Sequence, residues 1–102
     1  AAYGIYVCSR QIEAGSFDEF YTAFRQVKEY LAGSRPTAVN LVAALNRMEK
    51  VVLENASETV PALVELLHKE SLAIREEDAA ACRRIGEHCL SLLRPGMGIL
   101  TH

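Results

Sequence analysis

From Val60 to Leu93 one apolar line (Val60, Leu63, Leu67, Ile74, Ala81, Ile85 and Leu92) holds helical register after a start signalled by Thr59 and Pro61. At ~1.5 Å per residue such a helix is about 50 Å long. The remaining apolar patterns support helices of about 15 to 20 residues, nearer half that length. The long helix must therefore kink or overhang its partners, and an apolar overhang calls for a cover from outside the chain.

The partners read as three shorter helices. Ala1-Ala2-Tyr3-Gly4-Ile5-Tyr6 begins inside an apolar pattern that runs through Cys8 to Ile12, with neither an initiator Met nor a capping residue, and looks like a helix entered midway. Gly15-Ser16 starts the next, with Ser16 and Glu19 at capping-box spacing. Phe17, Phe20, Phe24, Val27 and Leu31 follow at steps of three and four, a core-facing stripe closed by Gly33. The third helix is expected to begin near Pro36, and from Ala38 to Leu45 only Asn40 interrupts its apolar run. A helix apolar all round belongs in the middle of the domain, so Asn40 is expected to be a buried polar group that finds partners there or faces a ligand. The sum is an all-α fold of about four helices.

Half of the 102 residues are hydrophobic, enough for one small domain and too few for two. Eleven basic against thirteen acidic residues, net −2, with no window rich in Lys and Arg, argues against nucleic acid or an acidic membrane as partner. No run of 18 apolar residues and no signal-peptide pattern occurs, which reads as a soluble, cytoplasmic protein. Cys8, Cys82 and Cys89 lack Cys-x-x-Cys spacing, so neither a disulfide framework nor a metal is expected; Cys82 and Cys89, seven apart on one helix, are too distant to bridge and are expected to be reduced and half-buried.

The segment carrying the clearest chemistry is Arg35-Pro36-Thr37-Ala38-Val39-Asn40-Leu41. With Pro36 at the first helical position, the next backbone N–H groups, at Thr37 and beyond, point outward unpaired. Together with the helix dipole and the charge of Arg35 they form an anion site of the size of a phosphate, and Asn40 one turn on is placed to brace it. A plain helix-to-helix turn with a solvated arginine fits the same pattern. On the long helix, Asp78 falls on the line joining Ile74, Ala81 and Ile85, where a carboxylate needs a donor or cation. No phosphate-binding glycine loop, His-Glu-x-x-His or nucleophile elbow occurs, so no self-contained catalytic constellation is present.

The end changes character: Arg94-Pro95-Gly96-Met97-Gly98 reads as a turn and Ile99-Leu100-Thr101-His102 as a short strand that stops without an exit. Four residues cannot make a sheet alone. Start and stop together read as a piece of something larger.

Four blocks taken together carry a resemblance: Ala1-Ala2-Tyr3-Gly4; Ser34-Arg35-Pro36-Thr37-Ala38-Val39-Asn40-Leu41; Ile74-Arg75-Glu76-Glu77-Asp78 with Ile85-Gly86-Glu87-His88; and Ile99-Leu100-Thr101-His102. They resemble the S-methyl-5-thioribose-1-phosphate isomerases and their relatives, the ribose-1,5-bisphosphate isomerases and the regulatory subunits of the translation-initiation exchange factor 2B. The resemblance implies a helical N-terminal domain, here residues 1–94, truncated at its start, and a Rossmann-like domain of which residues 95–102 would be the turn and first strand. It implies an aldose-to-ketose isomerisation of a sugar 1-phosphate in methionine salvage, without metal or nucleotide cofactor, in a homodimer. Arg35 is carried over as the phosphate ligand, with Pro36 and Thr37 at the helix start and Asn40 behind it. An Arg-Gly-Ala block upstream of Ala1, and a catalytic cysteine and aspartate after His102, would lie outside this chain, so no catalytic residue falls within it. Cys82 and Cys89 depart from the family pattern, and Arg75 stands where histidine is expected. The alternative within the resemblance is a regulatory or binding subunit.

Overall fold

The computed structural model describes residues 1–101, which form four helices: α1 (Ala2–Ser9), α2 (Phe17–Ser34), α3 (Val39–Glu54) and α4 (Val60–Leu90). Among these residues there is no strand, and no helix is long and apolar enough to cross a membrane. The all-α reading holds. Ile99, Leu100 and Thr101, read as the start of a strand, have no regular structure, because no second strand is present to pair with; His102, the last residue of that expected strand, lies outside the described residues.

Local signals account for most boundaries. Ser16 Oγ accepts the Glu19 N–H at 3.3 Å and starts α2, while Glu19 reaches back one residue further than a standard capping box, accepting from Gly15 N at 3.0 Å. Thr59 Oγ1 accepts from Ala62 N and Pro61 occupies the first turn of α4, where a missing N–H costs nothing.

The third helix starts later than its sequence suggests. Pro36 does not begin α3; it ends α2. A residue before proline is pushed out of the α region, and Arg35 accordingly sits at φ −145°, ψ 77°. Pro36 and Thr37 then form a turn closed by Ala38 N donating to Arg35 O at 3.0 Å, and α3 begins at Val39. Gly33 does not close α2 through a left-handed cap, since Gly96 is the one positive-φ residue among those described.

The core is built from Ile5 and Tyr6 of α1, Phe20 and Phe24 of α2, Leu45, Met48 and Val52 of α3, and Leu63 and Leu67 of α4. The aromatic stripe of α2 is core as expected. Helix α1 packs on all three others, and α3 on both α2 and α4. Tyr6 stacks on His68 across α1 and α4, with ring centroids 4.6 Å apart.

Two expectations about burial are corrected. The N-terminal turn of α3 is not interior: Val39 is 78% exposed and Asn40 is exposed, because α3 enters the bundle only from Leu41 onward. Asp78, Cys82 and Cys89 are likewise exposed, since α4 leaves the bundle after Ile74. The overhang predicted from the helix lengths is real. Helix α4 runs on without a partner, giving extents of 62 × 24 × 19 Å and leaving Ile85 and Leu90 63% and 67% exposed.

Candidate functional site

Helices α1 and α3 begin, and α2 ends, around one cavity, and α4 passes it before overhanging. That arrangement follows from short connections between successive helices, which send each back along the last. The cavity is ≈ 840 Å³ and is walled by Ala1, Ala2 and Tyr3 of α1, Arg35 after α2, Asn40, Leu41, Ala43, Ala44 and Arg47 of α3, and Ser71, Leu72, Ile74, Arg75 and Asp78 of α4. This volume falls within the ~300–1,000 Å³ of small-molecule sites.

Of the four residues read from the sequence as the anion site, the structure brings Arg35 and Asn40 to this wall, and Asp78, singled out on α4, lines the same cavity. Pro36 and Thr37 lie in the turn between Arg35 and Asn40, exposed and off the cavity. The unpaired backbone N–H groups at the start of α3 are therefore those of Val39 and Asn40, not those of the residues directly after Pro36. Ala38 caps α3 with no side-chain acceptor, unlike Ser16 and Thr59 on α2 and α4, which leaves the first N–H groups of α3 to solvent or ligand.

Three guanidiniums line the cavity, and they are not equivalent. Arg47 is committed within the protein: Nε donates to Glu70, Nη1 to one oxygen of Glu77 and Nη2 to the other at 2.9 Å. Hydrogen bonding from Arg47 holds the Glu77 carboxyl below the usual carboxylate range, and the bonds to Glu77 and Glu70 push Arg47 up in turn. Arg35 and Arg75 enter no ion pair among the described residues. They are the two cations free to meet a ligand.

Arg47 and Arg75 were not read as site residues from sequence. A signal for Arg47 exists: Asn40, Ala43, Ala44 and Arg47 recur at three and four along α3, a stripe of polar and small residues on one face of the helix. Among the described residues no group of His, Cys, Asp or Glu has the geometry to hold a metal.

A family model described as the initiation factor 2 subunit family matches residues 1–102. The chain is 69% identical over all 102 residues to a protein named methylthioribose-1-phosphate isomerase from Parabacteroides distasonis, covering 30% of that protein. It is 57% identical to one of the same name from Symbiobacterium thermophilum, covering 28%, and 43% identical to a 5-deoxyribose 1-phosphate isomerase from Clostridium botulinum strain Okra, covering 29%. In each case the whole chain aligns, so it spans under a third of the length of these relatives. No solved structure matches it.

Proposed function

The chain belongs to the initiation factor 2 subunit family, and on that premise we propose that it is the helical part of an isomerase converting a sugar 1-phosphate from aldose to ketose, with Arg35 holding the phosphate. The observation that carries this is the cavity itself: Arg35, without an acidic partner, and the uncapped start of α3 converge on one wall. A phosphate there gains charge-assisted hydrogen bonds from a guanidinium and the favourable end of a helix dipole. Asn40 stands beside Arg35 as a neutral donor or acceptor that orients the ligand without changing its charge.

What this part supplies is positioning. Fixing the phosphate locates C1 and C2 of the sugar relative to the groups that move hydrogen between them, and such fixation lowers the entropic part of the barrier. Those groups we place outside this chain. Ala1 lines the cavity, so a segment joined ahead of it would begin at the ligand, and residues 95–102 would lead into a second, Rossmann-like domain that closes the site. The whole protein is proposed to act in methionine salvage as a cytoplasmic homodimer. The names carried by the relatives favour this reading over a translation-factor subunit.

The test is Arg35→Ala in the full-length protein. KM for methylthioribose 1-phosphate should rise on the order of 10- to 100-fold, the worth of hydrogen bonds to a charged group, with the melting temperature unchanged because Arg35 is exposed. An unchanged KM would remove the phosphate assignment.

A further inference from the structure

A phosphate site at Arg35 leaves the α4 wall of the cavity unexplained. On α4, Arg75 and Asp78 are one turn apart on the same helix face, exposed, and lining the same cavity as Arg35. An Arg and an Asp at this spacing are placed to pair with each other; here no ion pair within 4.0 Å joins them, nor does either take part in another side-chain hydrogen bond among the described residues. The α4 acids Glu70 and Glu77 are both taken by Arg47 and do not line the cavity. Asp78 is thus the one carboxylate among the residues lining the cavity.

We propose that Arg75 and Asp78 form the subsite for the sugar hydroxyls, the end of the ligand away from the phosphate; this rests on the phosphate assignment of Arg35. A hydroxyl both donates and accepts, so a carboxylate and a guanidinium side by side match two neighbouring hydroxyls. The carboxylate also sets direction. A phosphate turned toward α4 meets Asp78 beside Arg75, a pair with no net charge, whereas the reverse orientation places the dianion at Arg35, which has no acid paired to it, and the neutral hydroxyls at the pair. Of the remaining α4 lining, Leu72 and Ile74 are apolar and suit the uncharged carbon skeleton, while the Ser71 hydroxyl is spent on the His68 carbonyl.

The experiment uses the full-length protein, with methylthioribose 1-phosphate as substrate and inorganic phosphate as competitive inhibitor. Asp78→Asn and Arg75→Gln should each raise KM for the sugar phosphate about 10-fold, a hydrogen bond to a charged group, and leave the inhibition constant of inorganic phosphate unchanged. Arg35→Ala should weaken both. The hydroxyl subsite is overturned if the α4 variants leave KM unchanged, or if they weaken inorganic phosphate as much as substrate. A larger loss in Arg75→Gln for a sugar bisphosphate than for the monophosphate would also overturn it, making Arg75 a second phosphate ligand. If Arg35→Ala alone leaves both constants unchanged, the phosphate assignment fails instead, and the hydroxyl subsite, which rests on it, falls with it.

Discussion

Arg47 and Glu77 meet end to end, both terminal nitrogens of the guanidinium donating to the two carboxylate oxygens, so that α3 is tied to α4 at the cavity wall. The fork geometry matches a carboxylate as a lysine would not. With Nε on Glu70, all three guanidinium nitrogens donate within the protein, and Arg47 ties the wall together.

This tie has a pH signature. Glu77 is held below the usual carboxylate range, chiefly by hydrogen bonding from Arg47. A carboxylate depressed in the folded state stabilises above its unfolded pKa, and that stabilisation is lost as pH falls through the folded value. Arg47, pushed up, stays charged throughout. Glu77→Gln should therefore lower the melting temperature by a few degrees near neutrality, in keeping with the small worth of exposed pairs, and the gap to wild type should close under acid. A gap equal at all pH values would assign the loss to something other than the ion pair.

Core and surface should separate cleanly in stability. Phe24 is fully buried, and Phe24→Ala should cost about 3–5 kcal/mol, a large part of what a domain of this size has. Ser16→Ala removes one exposed cap bond and should cost about 1 kcal/mol. Urea unfolding of the two variants checks the ratio; equal losses would mean that the aromatic stripe is not the core.

The periodicity of apolar residues exposed the four helices, the stripe of α2 and the overhang of α4 because each is a local pattern. Where two local rules competed, sequence reading chose the wrong one. Pro36 satisfies both a helix start and a helix stop, and only the φ and ψ of Arg35 show that the stop won. The apolar start of α3 looked interior because a run of apolar side chains carries no information about where a helix enters its bundle. For the site, Arg35 and Asn40 were legible as a turn and a helix end. Asp78 was legible only as a carboxylate in need of a partner and Arg75 not at all as a site residue, since their sharing a cavity with Arg35 depends on how α4 packs in the bundle.

Phosphate recognition at Arg35 should depend on shape as well as charge. Lysine keeps the charge and loses the planar fork, so Arg35→Lys in the full-length protein should fall between wild type and Arg35→Ala in its inhibition by inorganic phosphate. Asn40→Ala should weaken substrate by about 5-fold, a single neutral hydrogen bond. Titration of each variant decides this; an Arg35→Lys variant as weak as Arg35→Ala would show that the fork is the whole of the contact.

The overhang of α4 makes the last prediction. Ile85, Leu90, Leu92 and Leu93 are exposed and lie outside the core, and such apolar patches drive association. A polypeptide of residues 1–102 should self-associate as its concentration rises, and Ile85→Glu with Leu92→Glu should return it to monomer without lowering its melting temperature, because neither side chain contributes to the core. Cys82 and Cys89 report on the same segment. In the monomeric variant both should react with a thiol reagent quickly and Cys8, half-buried on α1, slowly. In the full-length protein, protection of Cys82 and Cys89 would show that other parts of the polypeptide cover this stretch of α4. Continued association of the double variant would place the adhesive surface elsewhere, with the exposed Tyr30 and Val39 the next residues to test.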